Sequence, residues 1–271
     1  MKKLEQLYEG KAKKVFQTDD PACLIVEYKD DATAFNGQKK GTILGKGAIN
    51  NRMTNLLMQM LEHRGVPTHF VQELNERETV VKKVTIVPLE VIVRNISAGH
   101  FAQNYGVEEG IVFEEPTIEF SYKNDDLGDP LINSYHAKAL KLATQAEIDT
   151  IVRLAFQINE ALKEFFLAVG ITLVDFKLEF GRLEDGTIVL ADEISPDTCR
   201  LWDKETGEKP GPGQCGRCLP RGDEAPDRQP ALSPVRGPMC ARHTGRRRKH
   251  LCVESSDLPA IKTQPPSCWM G

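Results

Sequence analysis

No stretch of this chain is apolar for long enough to cross a bilayer. The longest such run, Ile86 to Val93, already contains Glu90 and falls far short of the ~20 residues that a membrane helix requires. The opening MKKLEQLYEGK lacks the apolar core of a signal peptide. Positive charge is not in excess: 35 Lys and Arg face 39 Asp and Glu, a net charge of -4, which removes the electrostatic case for nucleic acid as the main ligand. Cysteine is scarce through residue 209, where only Cys23 and Cys199 occur. Two thiols so far apart suit a reducing compartment and supply no disulfide framework. No internal repeat is present. These absences predict a cytoplasmic globular protein of 271 residues, enough for one large domain or two modest ones, with no membrane or nucleic-acid partner, and they leave a small or acidic metabolite open as its ligand.

The composition breaks near Lys209. Residues 210–271 hold 10 of the 16 Pro and 5 of the 7 Cys, contain no Phe or Tyr, and carry a net +5, so residues 1–209 carry -9. A segment so rich in Pro and poor in periodic apolar residues cannot bury enough surface to offset the entropy of ordering it. The tail is therefore expected to be disordered. Cys215, Cys218, Cys240 and His243 have the residue types of a zinc ribbon, but Pro and Arg stand where a ribbon needs strand formers, and no zinc site is expected. The basic run from Arg246 to Lys249 reads as solvated charge.

The acidic body mixes strand and helix signals without strict βαβ alternation, which predicts an α+β protein with two lobes. Leu24 to Tyr28 is β-rich. Lys46 to His63 carries a helical stripe of Ile49, Met53, Leu56, Leu57, Met60 and Leu61, closed by Gly65, with the Met residues read as core. Glu78 to Lys83 and Leu89 to Arg94 read as strands separated by Pro88. Thr144 and Glu147 form a capping box that opens a long amphipathic helix ending at Gly170.

The most informative stretch is Leu173-Val-Asp-Phe-Lys-Leu-Glu-Phe-Gly181, where apolar and charged residues alternate ahead of an Asp185-Gly186 turn. Alternation puts Asp175, Lys177 and Glu179 on one face, and Val174, Phe176, Leu178 and Phe180 on the other, against the long helix. A two-residue loop at Asp185-Gly186 would set Glu179 opposite Asp192, with Cβ atoms about 5 Å apart. Two opposed carboxylates call for a cation, and Mg²⁺ commonly takes one or two carboxylates and completes its shell with water and substrate phosphates. Lys177, with Asp175, Glu193 and Asp197 nearby, fits a phosphate held between metal and ammonium. The competing reading is a solvent-facing charged hairpin.

Two weaker elements accompany it. Tyr8-Glu-Gly-Lys11-Ala-Lys13-Lys14 places a Gly between short β runs, followed by lysines suited to phosphates. Val87-Pro-Leu-Glu90-Val-Ile-Val-Arg94-Asn-Ile-Ser97-Ala-Gly99-His100 is a strand ending in Arg, whose planar fork suits phosphate or carboxylate.

Together these motifs, with Ala191-Asp-Glu-Ile-Ser-Pro-Asp197 and Arg200-Leu-Trp-Asp-Lys-Glu-Thr206, resemble the SAICAR synthetase family from about Tyr8 to Glu208. The resemblance implies a two-lobed SAICAR synthase-like fold, related to ATP-grasp and kinase-like builds, with a nucleotide-binding lobe at 1–88, a substrate and Mg²⁺ lobe at 89–209, and the tail at 210–271. It implies an ATP-dependent ligase that joins carboxyaminoimidazole ribotide (CAIR) to L-aspartate, and leaves a homodimer open as the assembly. On the family pattern Glu179 and Asp192 hold Mg²⁺, while Lys11, Lys13, Lys82, Lys123 and the backbone through Val87 and Leu89 meet ATP. Arg94, Ser97, His100 and Arg200 meet the ribotide phosphate, Glu90 and Asp129 lie near its carboxylate end, and Lys177, Asp197 and Asp175 are catalytic. The alternatives are a small-molecule kinase of similar build and an inactive nucleotide-binding remnant.

Two positions depart from that pattern. His100 stands where the family signature ends in Ser, and after Lys209 the family runs on from Leu-Asp into a closing helix, whereas this chain enters Pro-Gly-Pro-Gly. Permitted codons for Pro210 to Pro230, read one base out of frame, give LDQDSAADAYREVMKRLTGN, which predicts a frameshift.

Overall fold

The computed structural model describes residues 1–34 and 39–208. The readings of the 210–271 tail, which are its disorder, its zinc ligands and its shifted frame, lie outside the described residues.

The chain lays down β1 (Lys3–Glu9), β2 (Lys13–Thr18) and β3 (Cys23–Tyr28), a small ribbon of β4 (Asp31–Ala34) and β5 (Lys39–Thr42), helix α1 (Lys46–His63), then β6 (Phe70–Glu73) and β7 (Glu78–Lys82). These strands build a five-stranded antiparallel sheet in the order β1-β2-β3-β7-β6, with the β4-β5 ribbon apart from it. A second sheet follows from β8 (Thr85–Ile96), α2 (Gly99–Tyr105), β9 (Val112–Tyr122), a 3-10 turn (Asp125–Leu127), β10 (Leu131–Ile132), α3 (Ser134–Ala139), α4 (Gln145–Ala168), β11 (Ile171–Arg182), β12 (Ile188–Ala191) and β13 (Cys199–Asp203). Its order is β10-β9-β8-β11-β12, with β13 also on β11, and every ladder is antiparallel. Among the described residues the lack of parallel ladders is what an α+β chain without βαβ units should give. The first sheet ends at Lys82 and the second begins at Thr85. Among the described residues no helix is long and apolar enough to cross a membrane.

Both long helices have the expected bounds. Thr144 caps α4, its side chain accepting from Glu147 N while Glu147 Oε2 accepts from Thr144 N at 2.7 Å, and Gly170 follows at φ 77°. The inward side of α4, with Ile151, Leu154, Ile158, Leu162 and Phe166, packs on Phe176, Leu178 and Phe180 of β11, and Met53, Leu57, Met58 and Leu61 of α1 join the same cluster. Each such side chain contributes about 1.5–3 kcal/mol by leaving water. With α4 packed on one face of β11, the other face of that strand is left for chemistry.

Three details differ from the sequence reading. Pro88 does not separate two strands, because β8 runs through it. Proline cannot donate to a ladder, and the chain accommodates it at a bulge: pairing with β11 skips between Glu179–Glu90 and Gly181–Ile86, and pairing with β9 starts only at Leu89. Val174 does not face α4. A bulge against β13 between Leu173 and Asp175 shifts the alternation, so Val174 packs with Ile96 and Ala98 in a separate cluster. The third difference, the hairpin register, bears on the site.

Candidate active site

The hairpin between β11 and β12 closes with Leu183 N donating to Thr187 O at 2.9 Å, leaving a three-residue loop of Glu184, Asp185 and Gly186. Only Gly186 has positive φ there, at 84°, which is the arrangement of a type I turn with a glycine bulge rather than a two-residue turn. One extra loop residue moves the register by one. Glu179 therefore pairs with Ala191, not Asp192, and the face-to-face argument for these two acids fails. Asp192 lies beyond the end of β12 in a left-handed conformation, φ 58°.

The two acids are nevertheless gathered by lysines. Glu179, 4% exposed, accepts from Lys123 Nζ at 2.8 Å and Lys177 Nζ at 3.1 Å. Lys177 also reaches Glu90 on the adjacent β8 at 2.5 Å. Asp192 is ion-paired to Lys13 from β2, which also lies 3.1 Å from Glu193. Burial opposes the charge on Lys177 and Lys13, but the surrounding carboxylates outweigh it and both pKa values are raised. Burial would likewise raise Asp192, yet Lys13 first, then Lys177 and Lys123, hold it below the ordinary carboxylate value. The same ammonium groups thus act on both acids. Lys11 lies at the rim, paired with Asp125 at 2.9 Å and largely exposed.

Four residues back from Glu179 along β11, Asp175 is buried between Arg94 Nη1 at 2.5 Å and Arg200 Nη1 at 2.8 Å, both on Oδ2. Burial pushes its pKa up against the two guanidinium groups. Glu119 Oε2 accepts from Arg94 Nε at 2.8 Å. Gly99, φ 55°, leaves room for Arg200, whose Nη1 would lie 2.9 Å from a Cβ there. Asp175, Lys177 and Glu179 share a face, so the arginine cluster and Glu179 are about 13 Å apart along the strand at two-residue steps.

A third group ties α1 to the loop after β12. Lys46 is ion-paired with Asp197, Asn50 Nδ2 donates to Asp197 Oδ2 at 3.0 Å, and Ser195 Oγ donates to Glu193 Oε2 at 2.6 Å.

The remaining residues singled out from the sequence sit as follows. Lys82 Nζ donates to Thr68 O at 2.9 Å. Val87 and Leu89 are core side chains, 0% and 1% exposed, so only their backbone is available to a ligand. Ser97 is fully buried, its hydroxyl donating to Glu108 O at 2.7 Å and accepting from Ile111 N at 2.8 Å, which commits it to holding the loop after α2. His100 is exposed at the start of α2. Asp129, φ 49°, accepts from Asn124 N at 2.7 Å and shapes the turn after β9. Sequence reasoning missed Lys46, Asn50 and Glu119. The signal for the first two was the polar run Asn50, Asn51, Thr54 and Asn55 beside the apolar stripe of α1, a run that is buried throughout.

Among the described residues no group of three or more His, Cys, Asp or Glu forms a metal cage. Two carboxylates with mobile counter-charges are the donor set for a hard cation that arrives with phosphates.

The profile of the SAICAR synthetase family matches residues 6–214. The phosphoribosylaminoimidazole-succinocarboxamide synthase of Lachnoclostridium phytofermentans is 66% identical over 209 residues, covering 77% of this chain and 88% of that protein. The crystal structure of the corresponding synthase from Ehrlichia chaffeensis superposes with a TM-score of 0.74 at 48% identity, covering 76% of this chain and 88% of that one. A SAICAR synthetase in complex with ADP gives a TM-score of 0.73 at 48% identity, covering 76% and 87%. Glu179 held by two lysines and Asp175 held by two arginines, on one buried strand, thus occur in a chain that belongs to the SAICAR synthetase family.

Proposed function

We propose that this chain is an ATP-dependent ligase of the cytoplasm, condensing CAIR with L-aspartate to give the succinocarboxamide, ADP and phosphate. The relatives' shared name as phosphoribosylaminoimidazole-succinocarboxamide synthases supports the reaction, and the ADP bound to a 48% identical relative supports a nucleotide site. The single observation that carries the site assignment is the exchangeable charge cluster in which Lys13, Lys123 and Lys177 neutralise Glu90, Glu179, Asp192 and Glu193. A triphosphate entering with Mg²⁺ would offer each partner a replacement: phosphate oxygens for the ammonium groups, and the cation for Glu179 and Asp192, the residues that would hold it. The ammonium groups on those two carboxylates support this fit, because the oxygens already attract cations. When bound, Mg²⁺ supplies neutralisation of the phosphate charge.

The chemistry required of the protein is positioning. A carboxylate resists an amine because its oxygen leaves poorly. Its oxygen attacks the γ-phosphorus, the bond to the ADP oxygen breaks, and the resulting acyl phosphate is open to the aspartate amine, which displaces inorganic phosphate and loses a proton. Arg94 and Arg200 grip the ribotide phosphate in place of Asp175, about 13 Å along β11 from Glu179, a span that fits a ribotide with its carboxylate toward the nucleotide. Lys177, between these ends, stabilises the negative oxygens of the transferring group. Lys46 and Asn50 hold the Asp197 carboxylate in the loop after β12.

The test is ADP release by the purified full chain with ATP, Mg²⁺, CAIR and aspartate, each omitted in turn. Succinocarboxamide should require all four. ADP release that continues unchanged without aspartate would mark a kinase instead.

A further inference from the structure

Arg94 and Arg200 both end on one oxygen, Asp175 Oδ2, but they are held differently. The Arg200 side chain is 37% exposed and rests in the space that Gly99 leaves open. Arg94 is buried and bounded on three sides. Its tip meets Asp175, and its edge donates from Nε to Glu119 Oε2 at 2.8 Å. Its face looks onto the Phe101 ring, whose centroid is 5.8 Å from Cζ and which is packed in turn by Tyr105 and Phe113. Glu119 comes from β9, where it pairs with Ile92 while Thr117 pairs with Arg94. It is thus the diagonal neighbour of Arg94 across the ladder, a separation that long side chains bridge. The Glu119 side chain is only 12% exposed.

A phosphate that takes over both arginines removes the single Asp175 oxygen they share, and Glu119 is then the carboxylate left on Arg94. A carboxylate on Nε fixes the torsion that turns the guanidinium plane and leaves Nη1 and Nη2 as a fork for two phosphate oxygens. We propose that Glu119 is a positioning residue: by holding Arg94 Nε it keeps the guanidinium turned toward the ribotide phosphate once Asp175 gives way. The inference rests on the reading of Arg94 as a phosphate ligand and adds the element that orients it. Glu119 touches no reacting atom in this scheme. An acid that close to a phosphate dianion would otherwise only repel it, so its removal would tighten phosphate binding; the positioning role has the opposite sign.

Ribose 5-phosphate, which carries the phosphate end of the ribotide alone, is the probe. Its affinity for the full chain is read by nuclear magnetic resonance titration, beside KM for CAIR and for ATP. Glu119→Leu removes the acceptor. It should weaken ribose 5-phosphate binding and raise the CAIR KM by about 10- to 100-fold, the loss expected for one charge-assisted hydrogen bond, with kcat and ATP KM within about twofold of wild type. Glu119→Gln keeps an acceptor without the charge and should recover most of the loss. Unchanged or tighter ribose 5-phosphate binding in Glu119→Leu, an equal rise in ATP KM, or no recovery in Glu119→Gln would each overturn the proposal. Arg94→Gln separates the two levels: if it leaves ribose 5-phosphate affinity intact, the phosphate reading of Arg94 fails and this inference with it, whereas a large loss there with none in Glu119→Leu refutes Glu119 alone. One measurement does not depend on any variant folding. In the wild type the Arg94 Nε–H resonance should stay protected from solvent exchange at saturating ribose 5-phosphate, and loss of that protection counts against the inference.

Discussion

Replacing Gly99 with alanine tests the arginine clamp through a single methyl group. Gly99 sits at φ 55° and a Cβ there would lie 2.9 Å from Arg200 Nη1 and 3.0 Å from Cζ, with Nη2 closer still. Two costs follow. The left-handed backbone disfavours alanine by about 1–2 kcal/mol, and the guanidinium must withdraw from Asp175, giving up a charge-assisted bond of about 1.5–3 kcal/mol. The first cost appears in the melting temperature. The second also appears in substrate binding, because Arg200 is no longer poised for the ribotide phosphate. KM for CAIR should rise by about 10- to 100-fold, at 1.4 kcal/mol per tenfold, with KM for ATP within about twofold of wild type. Steady-state kinetics varying each substrate in turn reads both. A lowered melting temperature with an unchanged CAIR KM would show that Arg200 is held there for packing alone, and an equal rise in ATP KM would show that the two ends of β11 are not separate subsites.

Glu147 joins the start of α4 to Arg182, and that Arg182 pairing, ahead of its bonds to Thr144, holds its carboxyl at about 2. A depressed carboxylate contributes stability that is fully present above the ordinary value of 4.5 and is lost as pH falls through about 2. Glu147→Gln should thus cost about 1–2 kcal/mol at neutral pH, after discounting for partial solvent screening. Urea titrations should show the gap from wild type closing between pH 4.5 and 2, and a gap that persists at the acid end would reject the pairing as its cause. Phe176 is 1% exposed among Leu178, Phe180 and the inner face of α4, so Phe176→Ala should lower stability by about 3–5 kcal/mol, read as a lower denaturant midpoint at constant slope. A loss under about 1 kcal/mol would mean the helix is not seated on β11 as described.

The parts of this fold that could be read from the sequence are those fixed by local chemistry. The bounds of α1 follow from an apolar stripe that ends at Leu61 and from Gly65 shortly after it, where the backbone turns left-handed at φ 81°. Thr144 and Glu147 announce the capping box of α4 three residues apart. The hairpin was visible but its register was not, because Asp185-Gly186 serves equally in a two-residue turn and in a glycine-bulge loop, and only the strand twist and packing decide between them. The consequence was a wrong reason for associating Glu179 with Asp192. What the two acids share is the charge of Lys123 and Lys177, which bond Glu179 and help hold down Asp192, while Lys13 pairs with Asp192; the three lysines belong to separate strands or loops. Lys46 meeting Asp197 spans more than a hundred residues, and no local pattern encodes such a pair. The face of β11 was legible where alternation holds, from Asp175 to Glu179, and failed at Val174 where a bulge breaks it.

In the proposed reaction Glu179 and Asp192 act together on the nucleotide. Mg²⁺-dependent ADP release in the presence of CAIR and aspartate, measured for Glu179→Ala and Asp192→Ala beside wild type, tests it most directly. Each variant should lose at least about 100-fold in turnover while keeping its far-ultraviolet circular dichroism and a cooperative melt. Turnover near wild type in either one would contradict the assignment.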